Sequence, residues 1–269
     1  MNTTTLHRRV DVEAAAPPPR VSAIADIVIM SKRNLRRVSR TPQLLAFSSV
    51  LPISFTLMFF YVFGGSIHVP RLSYADYLIP TMLILATLFG ATTAVAMAVD
   101  MNGGMIDRFR SLPISRSAVL AGRTIADLAR NTLVALLVLL IGTVLGFRFR
   151  NGFLLACAAV ALVLAFSFAL SWAMAWIGMK TKDPETAQVA AFLPIFIMVF
   201  AAPGLVPVHD MPGWLQAFAQ VQPISVTITT VRALAEGGPI YHTLWQSLAW
   251  IAAILAVFVP LAIAEYRKV

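Results

Sequence analysis

Long apolar runs, almost free of charge, alternate with short polar segments along most of this chain. A helix needs about 20 apolar residues to cross a hydrocarbon core of roughly 30 Å, so such runs predict membrane-spanning helices. Six runs qualify, and they cover about residues 44–63, 77–99, 132–147, 151–179, 186–208 and 243–264. The pattern therefore predicts an all-α membrane protein with six transmembrane helices.

The residues before the first run divide into a tail and a possible helix. Residues 1–20 contain three consecutive prolines and lack the apolar core of a secretory signal, so we expect a disordered cytoplasmic tail. In residues 21–41, apolar positions recur near one helical face, and basic residues crowd the second half (Lys32, Arg33, Arg36, Arg37 and Arg40). This pattern predicts an amphipathic helix lying in the membrane interface. An ordinary topology anchor remains the alternative.

The polar segment between the second and third runs, residues 101–124, has an unusual arrangement. Met105, Phe109 and Leu112 are spaced to line one side of a short helix, and Pro113 should end that helix at Leu112. A basic flank accompanies them. The segment therefore resembles a rigid elbow suited to docking into a groove on a partner protein. A solvated basic loop is the alternative.

A second helix is predicted immediately after this elbow. Ser115 or Ser117 can cap it, and Arg116, Arg123 and Arg130 then recur along one stripe. Asp127 is four residues beyond Arg123 and three before Arg130, so ion pairs with both arginines within the helix are feasible.

Charge and composition support the membrane assignment and orient it. Hydrophobic residues make up 59% of the 269 residues and charged residues only 12%, and the mean hydropathy of +0.80 excludes a water-soluble globule. The net charge of +9 is typical of basic cytoplasmic loops rather than nucleic-acid binding. All but four of the 21 lysines and arginines fall on one side of the six predicted spans. The positive-inside rule then places both termini and the elbow in the cytoplasm.

The four exceptions are Arg71, Arg148, Arg150 and Arg232. Arg148 and Arg150 fall in a tight outer turn, where we expect their side chains to extend to the lipid headgroups.

Several kinds of chemistry are missing from the sequence. No P-loop motif occurs, the four histidines are scattered without metal-ligand spacing, and no nucleophile motif such as Gly-x-Ser-x-Gly is present. The single cysteine, Cys157, lies in an apolar run and is interpreted as a small hydrophobic residue. No predicted span carries a charge in its interior, which argues against an ion-coupled transporter. These absences predict a non-enzyme without a cofactor or metal site, powered by a partner.

Three stretches resemble one known family. They are GGMIDRFRSLPISRSAVLAGR (residues 103–123), GTVLGFRFRNG (142–152) and GLVPVHDMPGWLQAFAQVQPISVTITTVRAL (204–234). They are similar to ABC-2-type permeases, in particular the daunorubicin/doxorubicin-resistance branch. Many members open the first signature with Glu-Arg, where this chain has Asp107 and Arg108. The acidic charge is retained, so the docking inference is unaffected.

The resemblance implies an ABC-2 (type V) exporter architecture over residues 44–264, with a cytoplasmic tail at 265–269. The elbow would be the coupling helix, docking on a separate ATPase subunit that binds ATP and Mg²⁺. An extracellular re-entrant hairpin would occupy residues 209–240. The site residues implied for docking are Asp107, Arg108, Phe109, Arg110, Leu112 and Pro113, and those for an extracellular gate are Trp214, Gln222 and Pro223. The lining of the substrate path is expected to include Thr56, Phe59 and Phe60.

The function implied is that of a permease in the bacterial plasma membrane, paired with a second copy or a sister permease. It would export a hydrophobic or amphipathic small molecule, such as a drug or lipid. Export of a polysaccharide or glycolipid is the alternative within the family. A non-transporting membrane scaffold for a cytoplasmic partner is the alternative from another class.

Overall fold

The apolar runs of the sequence form helices that pack into one bundle. The computed structural model describes residue 32 and residues 42–65, 72–88, 92–102, 116–204 and 211–268. The helices of these segments are α1 (Pro42–Phe63), α2 (Tyr74–Leu88), α3 (Thr92–Asn102), α4 (Arg116–Val144), α5 (Phe153–Thr181), α6 (Pro184–Phe200), α7 (Gly213–Val221), α8 (Pro223–Glu236) and α9 (Tyr241–Lys268). No strand occurs in the described part of the chain, so the all-α prediction is confirmed there.

Helix length separates the predicted spans into two groups. In the described part of the chain, three helical segments are long and apolar enough to cross a membrane: Leu120–Val144, Phe153–Thr181 and Tyr241–Lys268. Three shorter apolar helical segments, Ser49–Phe63, Tyr74–Thr87 and Pro184–Phe200, coincide with the first, second and fifth predicted spans. The protein is therefore a multi-pass membrane protein, and a count of six spans remains a prediction.

Two predicted boundaries differ from the observed helices. The second run contains the helical segments α2 and α3, and residues 89–91 between them lie outside the described residues. The predicted fifth run extends to residue 208, but α6 ends at Phe200 and Pro203 lies beyond it. The helix expected after Pro113 and the third span are one continuous helix, α4. Of the two predicted caps, Ser115 lies outside the described residues and Ser117 lies within α4.

Helix α5 forms the centre of the bundle and packs against α2, α3, α4, α6, α8 and α9. The contact between α5 and α3 is very close, because a Cβ atom added to Gly178 would collide with the carbonyl oxygen of Ala94. Large side chains including Phe147, Phe166, Leu78 and Ile79 are fully buried in the main core. The bundle is thus assembled around one helix rather than around pairs of consecutive helices.

Helix α5 is separated from α6 by a short capped turn. The carboxylate of Asp183 accepts hydrogen bonds from the hydroxyl (2.6 Å) and the backbone N–H (2.7 Å) of Thr186. These bonds stabilise the charged form and hold the pKa of Asp183 below its usual value. Pro184 occupies the first turn of α6, where a missing N–H costs nothing.

Candidate functional site

The residues predicted to dock a partner fall mostly outside the described part of the chain. This holds for all six predicted coupling residues (Asp107, Arg108, Phe109, Arg110, Leu112 and Pro113) and for Arg33, Arg36 and Arg37 of the predicted interface helix. Lys32 is described; it is helical and exposed. The roles of these residues remain predictions, and the described residues on either side of the elbow provide the structural context.

The two helices that enter and leave the elbow are tied together by polar side chains. Arg123, near the start of α4, forms an ion pair with Asp100 near the end of α3. Further along, the hydroxyl of Thr93 on α3 donates to Asp127 on α4 at 2.6 Å, and both side chains are buried. Two separate polar contacts therefore join α3 to α4 on either side of the elbow segment.

One of the predicted ion pairs within α4 is present and the other is wrong. Arg130 pairs with Asp127 at 3.4 Å. Arg123 instead pairs with Asp100 of another helix, while Asp127 accepts a bond from Thr93. One helical turn deeper, Asn131 donates to Ser167 of α5 at 2.7 Å. The polar residues of α4 therefore connect this helix to its neighbours more than to itself.

Two short helices, α7 and α8, occupy the region of the implied hairpin. Gln222 separates them, and Pro223 is the first residue of α8. The Gln222 amide donates to the carbonyl of Met198 on α6 at 2.7 Å, and both Gln222 and Pro223 are buried. Trp214 has 75% of its surface exposed, as an interfacial anchor requires. The three predicted gate residues thus lie on one hairpin but in different environments.

The start of α2 and the end of α8 meet at a cluster of charged side chains. Arg150, in the turn after α4, donates to the Asp76 carboxylate at 2.7 Å. The Nε atom of Arg150 lies 3.2 Å from the carboxylate of Glu236, and the backbone N–H of Arg150 donates to Ala235 at 2.8 Å. Both acidic side chains are buried, with 0% and 4% exposure. The Arg150 side chain thus contacts two buried carboxylates and is itself 53% exposed. Its expected extension to the headgroups remains a prediction.

Arg232, on α8, is surrounded by groups from two other parts of the chain. Its guanidinium carbon lies 3.9 Å from the centre of the Tyr77 ring. It donates to the Tyr77 carbonyl at 2.9 Å and contacts the Pro203 carbonyl at 3.3 Å. The Tyr77 hydroxyl also donates to Pro203 at 3.0 Å. Arg232 therefore holds α2 and the segment after α6 against the hairpin, rather than lying in a solvated loop.

The residues predicted to line a substrate path have different surroundings on α1. Thr56 is fully buried and donates to the carbonyl of Pro52 at 2.8 Å. Phe59 is in the core, with its ring centre 5.5 Å from that of Phe63. Phe60 is half-buried and lines a pocket of about 420 Å³, together with Tyr61 and Tyr74. Of the three residues predicted to line a substrate path, all of them described, only Phe60 lines this pocket.

The sequence interpretation missed Asp76, Glu236 and Arg232 as structural partners. Two weak signals point to them. Asp76 and Glu236 are among only 12 acidic residues in the whole chain, and Arg232 interrupts an otherwise uncharged run of hydroxyl and apolar residues. Neither signal identifies the partner, because each contact joins residues far apart in sequence.

The fold and these sites define a class: a helical, multi-pass membrane protein in which the short helix α8 packs into the bundle. Residues 25–235 match the family described as ABC-2 type transporter. This match spans most of the chain, and the chain belongs to that family. It is therefore a permease component of an ABC transporter, whose ATP-binding subunit is a separate partner.

Relatives with assigned names give further detail. The chain is 29% identical to a daunorubicin resistance ABC transporter permease protein of Streptomyces coeruleorubidus, covering 97% of this chain and 92% of the relative. It is also 29% identical to a probable doxorubicin resistance ABC transporter permease protein of Mycobacterium tuberculosis, covering 91% and 89%. A probable multidrug ABC transporter permease of Escherichia coli is 24% identical, covering 74% and 54%.

Proposed function

We propose that this chain exports a hydrophobic or amphipathic small molecule, a drug or a lipid, across the bacterial plasma membrane. It does so with ATP hydrolysed by a separate subunit and as a pair with a second permease. The observation that carries the proposal is the 29% identity over 97% of the chain to a permease named for daunorubicin resistance. We also propose that the chain has six spans and that both termini lie in the cytoplasm. The distribution of lysine and arginine along the sequence supports this orientation.

In this proposal the elbow transmits the motion of the ATPase to the membrane through α4. This helix is continuous over 29 residues, a length of about 44 Å at 1.5 Å per residue. Its ties to α3 through Asp100 and Thr93 would make the two helices respond together. Beyond α4, the turn containing Arg150 contacts the end of the hairpin. A tilt of α4 at the elbow would therefore reach the hairpin without passing through flexible chain.

Drug export and binding of the ATPase subunit, both measured in the same strain, test the proposal. Cells producing this chain with its ATPase should lower daunorubicin accumulation, and the double variant Phe109→Asp, Leu112→Asp should abolish that export. The variant should also lose copurification with the ATPase, because two charged groups cannot enter an apolar groove without a large desolvation cost. The conservative double variant Phe109→Leu, Leu112→Met is the matched control and should retain both properties.

Two results would contradict the proposal. Unchanged accumulation of daunorubicin and of other amphipathic drugs and lipids in the wild-type strain would argue against small-molecule export. Retained ATPase binding and export in the aspartate variant would place the docking surface elsewhere in the chain.

A further inference from the structure

The cluster formed by Asp76, Arg150 and Glu236 contains two buried carboxylates and one guanidinium. Arg150 contacts both acids, through one terminal nitrogen to Asp76 and through Nε to Glu236. These two nitrogens belong to one planar group, so the two carboxylates are neighbours. With both acids ionised, the cluster has an excess negative charge that is largely shielded from water.

Of the two acids, Glu236 has the fewer contacts that stabilise a negative charge. Its side chain is 4% exposed, and among the described residues neither of its carboxylate oxygens accepts a hydrogen bond. The contact with Arg150 at 3.2 Å is an ion pair without hydrogen-bond alignment. Asp76, in contrast, accepts a well-formed bond from Arg150 at 2.7 Å and a longer one from the N–H of Arg148. A buried carboxylate without donors is costly in its charged form.

Among the described residues, the other ionisable groups near this end of the bundle have the following surroundings. The guanidinium of Arg148 donates to the carbonyls of Thr143 and Phe147, and that of Arg232 lies on Tyr77. Further ionisable groups on the helices packed against α8 at this end are Tyr74, Cys157, Tyr241 and His242. Cys157, Tyr241 and His242 are exposed. Burial, followed by the neighbouring charge of Asp76, raises the pKa of Glu236, while Arg150 opposes the shift.

We propose that Asp76 and Glu236 form a shared proton site that fastens the hairpin to the bundle. A proton on Glu236 removes the repulsion between the two carboxylates and provides a donor for a hydrogen bond to Asp76. The site joins the start of α2, the turn after α4 and the end of α8, so its protonation strengthens the connection among three elements. Its ligand is a proton, and acidification at this end of the molecule tightens the hairpin.

The sign of the effect follows from linkage. An acid whose pKa is raised in the folded protein binds its proton more tightly there than in the unfolded chain. The folded state therefore gains stability from this group as the pH falls through the raised pKa, and loses it as the pH rises. The location of this end of the bundle on the outer side of the membrane rests on the proposed function, whereas the existence of the proton site does not.

The experiment compares thermal unfolding of the full chain at about pH 5 and about pH 8 with that of Glu236→Gln. Glutamine has nearly the shape of the protonated acid and donates to Asp76 at every pH. We expect wild type and variant to melt together at the lower pH, and the variant to melt higher by about 2–4 °C at the higher pH. The control, Glu185→Gln on the exposed first turn of α6, should lack that pH-dependent difference from wild type.

Infrared difference spectroscopy supplies a second readout, which is independent of melting temperature. The carbonyl stretch of a protonated carboxyl should appear on acidification at a pH above the ordinary range for glutamate, and this component should be absent from Glu236→Gln. A variant that melts lower at the higher pH would overturn the proposal, as would a spectrum without the band. A melting shift produced by calcium at constant pH would also overturn it, in favour of a cation site. Loss of daunorubicin export with the pH effects intact would instead count against the proposed function alone.

Discussion

Arg232 illustrates how a single charged residue can be accommodated inside an apolar bundle. Its guanidinium lies on the Tyr77 ring and donates to backbone carbonyls of two other segments. No carboxylate pairs with it among the described residues. Carbonyl dipoles and an aromatic face therefore compensate this charge, and they fix three segments in the process.

Replacement of this side chain should be costly. We expect Arg232→Ala to lower the free energy of unfolding by roughly 2–4 kcal/mol, because buried carbonyls lose a charged donor and Tyr77 loses its cation–π partner. Equilibrium unfolding in detergent measures the change. Arg148→Ala is the control, and since Arg148 is exposed its effect should stay within about 0.5 kcal/mol. Equal effects of the two substitutions would contradict the role assigned to Arg232.

At the scale of elements, the contact between α3 and α4 decides how the elbow is supported. If the ion pair of Asp100 and Arg123 joins these helices, a double-mutant cycle with Asp100→Asn and Arg123→Gln should give a coupling energy of about 0.5–3 kcal/mol. The pair of Glu265 and Lys268 lies within one turn of α9, and the lysine side chain is 68% exposed. It is the control, for which we expect no more than about 0.5 kcal/mol. Additive effects of the α3 and α4 substitutions would mean that the pair does not hold the helices together.

The approach of α5 to α3 leads to a second prediction at this scale. Gly178→Ala should destabilise the protein by about 1–3 kcal/mol, because the added methyl group forces the two helices apart. Gly65→Ala, in the turn after α1, is the matched control, since a Cβ atom there meets nothing within 4 Å. Thermal unfolding of both variants checks the prediction, and a neutral Gly178→Ala would show that α3 and α5 can separate freely.

Sequence patterns predicted individual elements better than contacts between them. The position of each apolar helix follows from the length of its uncharged run, because the bilayer imposes that length. The helix that carries the basic stripe was predicted, but its continuity with the third span was missed, because the charged residues before Thr132 mark the end of the apolar run whether or not the helix continues through them. The joining of Asp76 to Arg150 and Glu236 could not be predicted, because no periodicity relates residues so far apart in the chain. The hairpin helices α7 and α8 were expected only through the family resemblance.

For the whole molecule, the distribution of basic residues predicts which end of the bundle faces the cytoplasm. The start of α4 and the turn from α5 to α6 lie at one end, and the start of α9 lies at the other. In a Cys157→Ser background, a membrane-impermeant maleimide should label Tyr241→Cys in intact cells and Glu185→Cys only after permeabilisation, because the positive-inside rule places residue 185 in the cytoplasm. Both side chains are exposed, so access to the aqueous phase rather than burial determines the labelling. The opposite labelling pattern would mean that the orientation is inverted. Labelling of both residues in intact cells would mean that residues 185 and 241 face the same side of the membrane, so that α6, α7 and α8 together do not carry the chain across it.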